Sequence, residues 1–408
     1  MSMSMAGKVK GNAVVGQSGG PTAVINQSLV GVIEAVSRCK AIGHLYGARH
    51  GVRGIIQDQF VPLDKLGKPL LERVAATPAS ALGSTRDKPD EAYCKKILDA
   101  FAKRDVRYFF YIGGNDSADT ARIVRDLARA SNYDLHVFHV PKTIDNDLRV
   151  TDHCPGYGSA ARFVVSAMIG DDRDNSSLPG IKVNVIMGRN AGWLTASSLL
   201  ARQDASDGPH LIYVPERRVS QGQFVDDVAE VYGRLGRCLI AVSEGITDID
   251  GVPWGEKLAS TVEHDSHGNV QLSGSGALGD MLAALVKTKV SAKLGGKSLR
   301  VRADTFGYLQ RSFAGYASPV DQKEARLAGR TAVAYAMQGY PDGSVAFRRK
   351  AGAKYAITCF RAKLEDVARE TKPLPPAYVN ARGNGIAESF RKYAGPLVGK
   401  LPVIGKLS

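Results

Sequence analysis

The chain has 408 residues, 44% of them hydrophobic, and a formal charge of +14, enough length for two domains or one large doubly wound unit. No apolar run reaches the ~18 residues of a bilayer span, and the opening MSMSMAGKVK lacks the apolar stretch of a secretory signal, so no membrane association is expected. The basic charge is spread along the chain without a zinc-finger, RRM-type or helix-turn-helix signature, which argues against nucleic acid as partner, and five dispersed cysteines without CxxC pairing indicate reduced cytoplasmic thiols.

NAVVG (12–16) predicts a strand, and Pro21 then opens a helical pattern through Ala23, Val24, Leu29, Val32, Ile33 and Val36. The junction GQSGGPTAVINQ (16–27) is either an anion cradle made of backbone N–H groups and a helix dipole, or a tight turn with no ligand. Its glycine spacing fits neither the dinucleotide-binding fingerprint nor the P-loop. VRYFFYIG (106–113) predicts a buried strand, followed by a helix from Ser117 to about Ala130. In the connecting stretch YIGGNDSADT (111–120) the glycines suggest a phosphate cradle, yet Asp116 places a carboxylate where a nucleotide's negative charge would have to come.

HVFHVPK (136–142) predicts the next strand, and PKTIDNDL (141–148) the loop beyond it. Asp145 and Asp147 lie there beside Lys142 and Thr143. One carboxylate could accept a proton from a substrate hydroxyl while the other holds Mg²⁺; the alternative is a solvated acidic turn capping the next helix. KVNVIMGR (182–189), HLIYVPE (210–216) and CLIAVSEG (238–245) repeat the strand form. Region 246–297, with the run HDSHGNVQLSGSGALG, breaks the rhythm as an excursion containing a helix near Leu278–Thr288. The last sixty or so residues, lysine- and proline-punctuated, predict an arm packed on the body or on a neighbouring subunit, with a weak amphipathic membrane contact as the alternative. Strands alternating with helices indicate an α/β fold with parallel sheets covered on both faces, and ligands beyond the C-terminal strand ends.

GGNDS (113–117), PKTIDND (141–147), MGRNAGW (187–193), VSEG (242–245) and GYLQRS (307–312) occur together and in the order found in phosphofructokinases. The chain resembles that family over roughly residues 10–345, and within it the pyrophosphate-dependent branch. The resemblance implies two doubly wound, mainly parallel-sheet domains with the active site in the cleft between them. Residues 1–153, with about 313–345 returning, would bind the donor; 154–312 would bind the sugar phosphate, and 346–408 would form a C-terminal extension. The implied reaction is reversible transfer of a phosphoryl group from pyrophosphate to fructose 6-phosphate, a step of glycolysis and gluconeogenesis, by a cytoplasmic homodimer or homotetramer using Mg²⁺.

ATP-using relatives have glycine where this chain has Asp116 and again where it has Lys142. By resemblance, Asp116 occupies the place of a nucleotide's α-phosphate, and two like charges ~4 Å apart repel by several kcal/mol at intermediate dielectric. Lys142 would stabilise charge on the pyrophosphate. The same resemblance makes Asp145 the general base and Arg86 the cation that neutralises the transferring group. Gly19, Gly114, Ser117 and Lys142 would meet the donor. Thr143, Ile144, Asp145, Met187, Gly188, Arg189 and Glu244 would hold the sugar, with Arg302, Tyr308 and Arg311 at its 6-phosphate. Asn115 and Asp147 would face the metal.

Three positions depart from the family pattern. Asn115 stands where relatives carry a metal-ligating aspartate, and Tyr308 replaces a histidine typical of ATP enzymes. No arginine matches the one that ATP enzymes lend to a neighbouring subunit shortly before MGR; Lys182 lies nearest. Two alternatives follow: an ATP-dependent 6-phosphofructokinase, opposed by Asp116 and Lys142, and a non-catalytic regulatory subunit, opposed by Asp145, Asp147, Arg189 and Arg311.

Overall fold

The computed structural model describes residues 9–258, 276–368 and 370–407. Two compact units emerge, Met1–Ser159 with Arg311–Thr371, and Ala160–Gln310 with Lys372–Ser408. The first contains β1 (Gly11–Gln17), β2 (Ile42–Ala48), β3 (Phe60–Pro62), β4 (Val106–Gly113) and β5 (His136–Pro141). The second contains β6 (Ile181–Ile186), β7 (Leu211–Tyr213), β8 (Cys238–Ser243) and β9 (Val301–Thr305). The chain then returns to the first with β10 (Asp342–Arg349) and β11 (Ile357–Ala362).

In the first unit the strand order is β11-β10-β5-β4-β1-β2-β3, parallel from β10 to β2 with an antiparallel strand at each edge. The unbroken apolar run of β4 is explained by cover on both faces. Phe110 and Ile112 pack with Leu29, Ile33 and Ala332 on one side, and Phe109 and Tyr111 with Ile97, Phe101 and Val124 on the other. Truncating a ring such as Phe110 to alanine would cost about 3–5 kcal/mol. Helices Ile25–Val36 and Pro319–Met337 approach backbone to backbone: a Cβ on Gly31 would sit 2.2 Å from the Arg326 carbonyl oxygen, and one on Gly329 would sit 2.1 Å from that of Ser28.

Two expected helix starts move. The first helix begins at Ile25 rather than at Pro21, because residues 18–24 form a loop in which Gly19 has φ of 74°. The helix expected from Ser117 begins two residues earlier, at Asn115, with Gly114 as N-cap.

The second unit carries a four-stranded, all-parallel sheet of order β7-β8-β6-β9. Val183, Ile240 and Val242 of its strands pack with Phe224, Trp254, Leu278 and Leu282. Helix Gln221–Leu235 is fixed at both ends, by Ser220 accepting the Gln223 N–H and by left-handed Gly236. Of KVNVIMGR only Lys182–Ile186 is strand, which leaves Met187, Gly188 and Arg189 in the loop beyond it. The strand expected over 210–216 shortens to Leu211–Tyr213. Within the excursion, a helix forms over Ala277–Leu285; residues 264–275 of the glycine- and histidine-containing run lie outside the described residues.

The expected extension over 346–408 is divided between the units. β10 and β11 complete the first sheet, whereas Lys372 onward belongs to the second unit. There Phe390 and Tyr393 pack their rings on Trp193, the Gln203 amide donates to the Pro402 carbonyl, and Lys406 pairs with Asp204 and Asp207. Among the described residues no helix is long and apolar enough to cross a membrane.

Candidate active site

In the first unit, the ends of β1, β4 and β5 bring three loops together around Lys142. The Ser18 N–H donates to the Ile112 carbonyl and the Gly19 N–H to that of Thr85, both at 2.9 Å, so the β1 loop is tied to β4 and to the segment containing Arg86. Gly19 is required twice: its φ is 74°, and a Cβ would lie 3.1 Å from the Lys142 Nζ. That ammonium donates to the Gly20 carbonyl at 2.7 Å. A Cβ on Gly20 would meet the Arg311 guanidinium at 3.1 Å, so Arg311 sits at this loop, while Arg302 and Tyr308 fall in the second unit.

The Asn115–Ala130 helix starts at the end of β4, so its positive N-terminal end faces the Gly114 turn. Gly113 must lack a side chain because a Cβ would lie 1.9 Å from Ser117 Oγ, and Ser117 is buried beneath it. Asp116 is in the first turn, and Gly114 takes the cap position. Its carboxylate is 66% exposed and 3.5 Å from the Lys88 ammonium. Solvent and Lys88 therefore weaken the repulsion expected of Asp116 to about 1 kcal/mol.

Along PKTIDNDL, burial alternates: Ile144, Asn146 and Leu148 are interior, while Asp145 and Asp147 are half-buried. The Asp145 N–H donates to Thr143 Oγ1 at 3.1 Å, and the Thr143 N–H to the Pro155 carbonyl at 3.1 Å. The Ile144 side chain points into the interior, so only its main chain is left for a ligand. At the start of the next helix, Asp321 accepts from the Gly156 and Ser159 N–H groups at 2.9 and 2.8 Å.

In the second unit the ends of β6 and β8 adjoin. Gly188 has φ of 139° and a Cβ there would lie 2.6 Å from the Ala191 carbonyl oxygen; one on Gly245 would lie 1.9 Å from that of Arg189. Met187 and Glu244 are buried, the Glu244 N–H donating to the Ile186 carbonyl at 2.9 Å. Arg302 and Tyr308 are exposed. Lys182 pairs with Asp171 and Asp304 at 3.0 and 2.8 Å.

Residues 12–336 match the phosphofructokinase family. The chain belongs to it. It is 51% identical over 391 residues to the pyrophosphate–fructose 6-phosphate 1-phosphotransferase of Rhodospirillum rubrum, covering 96% of this chain and 95% of that protein. Identity to the enzyme of the same name from Xanthomonas campestris is 38% over 403 residues, 96% of this chain and 93% of the relative. The crystal structure of the pyrophosphate-dependent phosphofructokinase from Nitrosospira multiformis superimposes with a TM-score of 0.83 at 32% identity, covering 97% of this chain and 94% of that one.

This phosphofructokinase places its lysine in an unusual electrostatic setting. Lys142 is 3% exposed, and its ammonium is pushed down to about 7, chiefly because burial strips it of water. Arg311 and Arg86 add repulsion, while Asp145 and Asp147 oppose it. An anion arriving here would restore the charge.

The residues also fit a hard cation. Asn115 Oδ1 is buried without a hydrogen-bond partner, and the Asn115 amide donates to Asp147 Oδ2 at 3.4 Å, so a neutral oxygen and a carboxylate lie side by side. No cluster of three or more His, Cys, Asp or Glu among the described residues could enclose a metal by itself. Mg²⁺ needs none, because it keeps waters and takes one or two protein oxygens together with substrate phosphates.

Several supporting residues escaped the sequence analysis. His139, wholly buried, donates from Nε2 to the Gly113 carbonyl and accepts at Nδ1 from Ser344 Oγ, both at 2.8 Å. Burial holds its pKa at about 4, so it is neutral, and it braces the carbonyl that also receives the Lys142 N–H. Glu216 accepts from the Gly192 and Leu374 N–H groups at 2.9 and 2.7 Å. Gln310 accepts from the Met187 N–H at 3.3 Å. A histidine inside an apolar strand (HVFHV) and a carboxylate at a strand end (VPE) were the available signals. A cavity of about 630 Å³ lined by Arg202, Gln203, Asp204, Glu388 and Arg391 in the second unit contains none of the predicted site residues.

Proposed function

We propose that the chain transfers a phosphoryl group from pyrophosphate to the 1-hydroxyl of fructose 6-phosphate, giving fructose 1,6-bisphosphate and phosphate, and that it runs in both directions. The observation that carries this is the buried Lys142 ammonium between the Gly19–Gly20 loop and the Asn115–Ala130 helix, with Asp116 on that helix's first turn. The names and extent of the relatives support the same donor and acceptor.

The chemistry assigned to each group follows. Asp145 takes the proton from the 1-hydroxyl as that oxygen attacks the terminal phosphorus. The bond from this phosphorus to the bridging oxygen breaks, and phosphate leaves. Lys142 and Arg86 hold the charge that develops on the phosphoryl oxygens, with the Gly19 loop, Gly114 and Ser117 setting its position. Thr143, the Ile144 main chain, Met187, Gly188, Arg189 and Glu244 position the sugar; Arg302, Tyr308 and Arg311 are assigned to its 6-phosphate. Asp147 and Asn115 Oδ1 are the groups that would hold Mg²⁺, which would supply charge neutralisation on the pyrophosphate. The donor is assigned to the first unit, and the sugar to residues of the second together with Thr143, Ile144, Asp145 and Arg311 of the first, in a cytoplasmic homodimer or homotetramer.

An ATP-dependent enzyme is not favoured, because Lys142 fills space beside the donor loop and Asp116 adds bulk. Assay of purified protein with fructose 6-phosphate and each donor decides the matter: product with pyrophosphate and little with ATP is expected. Comparable kcat/KM for the two donors would sink the proposal, and so would failure to form pyrophosphate from fructose 1,6-bisphosphate and millimolar phosphate.

A further inference from the structure

Asn146 lies between the two aspartates and has no role in the chemistry above, yet its environment is the most constrained in the loop. It is wholly buried, and its φ of 57° lies in the left-handed region, which asparagine tolerates better than any other residue with a Cβ except aspartate. Its Oδ1 accepts the Cys154 N–H at 3.0 Å, and Cys154 is itself wholly buried. This link joins the loop to the segment 154–156, as does the bond from the Thr143 N–H to the Pro155 carbonyl, next to a bridge between Thr143 and Gly156. Gly156 is in turn anchored by its N–H to Asp321.

We infer that Asn146 is a positioning residue that aims the Asp145 and Asp147 carboxylates to one side of the loop, by holding a left-handed backbone and by fastening the loop through its amide oxygen to the Cys154 N–H. The alternation of burial is its consequence: with Asn146 turned inward, its two neighbours are turned outward. Asp147 receives the Asn115 amide at 3.4 Å, and the charges of both carboxylates favour the Lys142 ammonium. Glycine would meet the backbone demand but offers no acceptor. Alanine meets neither.

The inference rests on the proposed roles of Asp145 and Asp147, so Asp145→Asn is measured alongside as a control. Asn146→Gly should lower kcat about tenfold and Asn146→Ala further, at KM for fructose 6-phosphate within about threefold of wild type, with kcat normalised to the folded fraction. The solvent deuterium isotope effect on kcat should rise, because a misaimed base makes proton transfer limiting. A merely structural Asn146 would lower the melting temperature and leave normalised kcat and the isotope effect unchanged, which overturns the inference. An active Asp145→Asn enzyme would remove the underlying roles, whereas an inactive one beside a normal Asn146→Ala enzyme would remove only the inference. Should both Asn146 variants fail to fold, hydrogen exchange of the wild-type protein decides: a slowly exchanging Cys154 amide is required, and fast exchange rejects the fastening.

Discussion

The loops at the strand ends of the two units are built by different means. Around Lys142, order comes from buried polar groups: an ammonium on a carbonyl, a neutral histidine under Gly113, and an asparagine in a left-handed turn. Around Met187–Arg189, order comes from missing side chains and buried acceptors: Gly188 and Gly245 let backbones touch, while Glu216 and Gln310 receive loop N–H groups. The cation proposed to meet a ligand is correspondingly buried in the first unit (Lys142) and exposed in the second (Arg302). A buried charge responds steeply to what approaches it; an exposed one is screened.

The contrast breaks first at the base. Asp145→Asn should lower kcat by about a hundredfold or more, as general-base contributions run from 10² to 10⁴, with smaller changes in either KM; a kcat near wild type would place the base elsewhere. Next, Lys142→Met should reduce kcat/KM for pyrophosphate by about a hundredfold, the scale of a lost charge-stabilising donor. Its counterpart in the second unit, Arg302→Ala, should raise KM for fructose 6-phosphate by about tenfold through a lost charge-assisted contact, and leave the pyrophosphate constants alone. Equal effects of both substitutions on both substrates would erase the division of labour between the two regions.

Titration sharpens the same contrast. Because the folded-state value of Lys142 is depressed to about 7 from 10.5, the unfolded chain binds more protons than the folded one between those values, so stability gains with pH there. The cost of burying the ammonium is full below pH 7 and vanishes toward pH 10.5. Lys142→Met should therefore melt higher than wild type at pH 6, with the gap closing as the pH rises. With Lys142 meeting pyrophosphate as proposed, binding should take up a proton above pH 7, so KM for pyrophosphate should climb between pH 7 and 9 while that for fructose 6-phosphate stays flatter. A pH-independent melting difference would show that Lys142 is not desolvated. The smallest effect is expected for donor switching. Asp116→Gly should give only slight ATP activity, since the carboxylate is exposed and paired with Lys88, and adding Lys142→Gly should give more, at the expense of pyrophosphate. A folded double variant that ignores ATP would remove both residues as the reason for donor choice.

The chemistry of the loops and the parallel α/β character were legible in the chain itself, because a buried parallel strand writes itself as an apolar run and its loop follows at once. β4 runs over the expected 106–113, and β5 and β8 lie within their expected runs, because each is covered on both faces. The edge strands β3 and β11 and the half-exposed β9 carried no such signal, since one open side tolerates any residue. Which residues meet is a matter of distance in space, and sequence spacing could not supply it. Only the tertiary structure put Arg311 against Gly20, tied Lys182 to Asp171 and Asp304, exposed Asp116 beside Lys88, and divided the last sixty residues between two units. Burial, which sets the charge on Lys142, is a property of what packs around a residue, and the carbonyl that receives this ammonium, that of Gly20, lies 122 positions away in the chain.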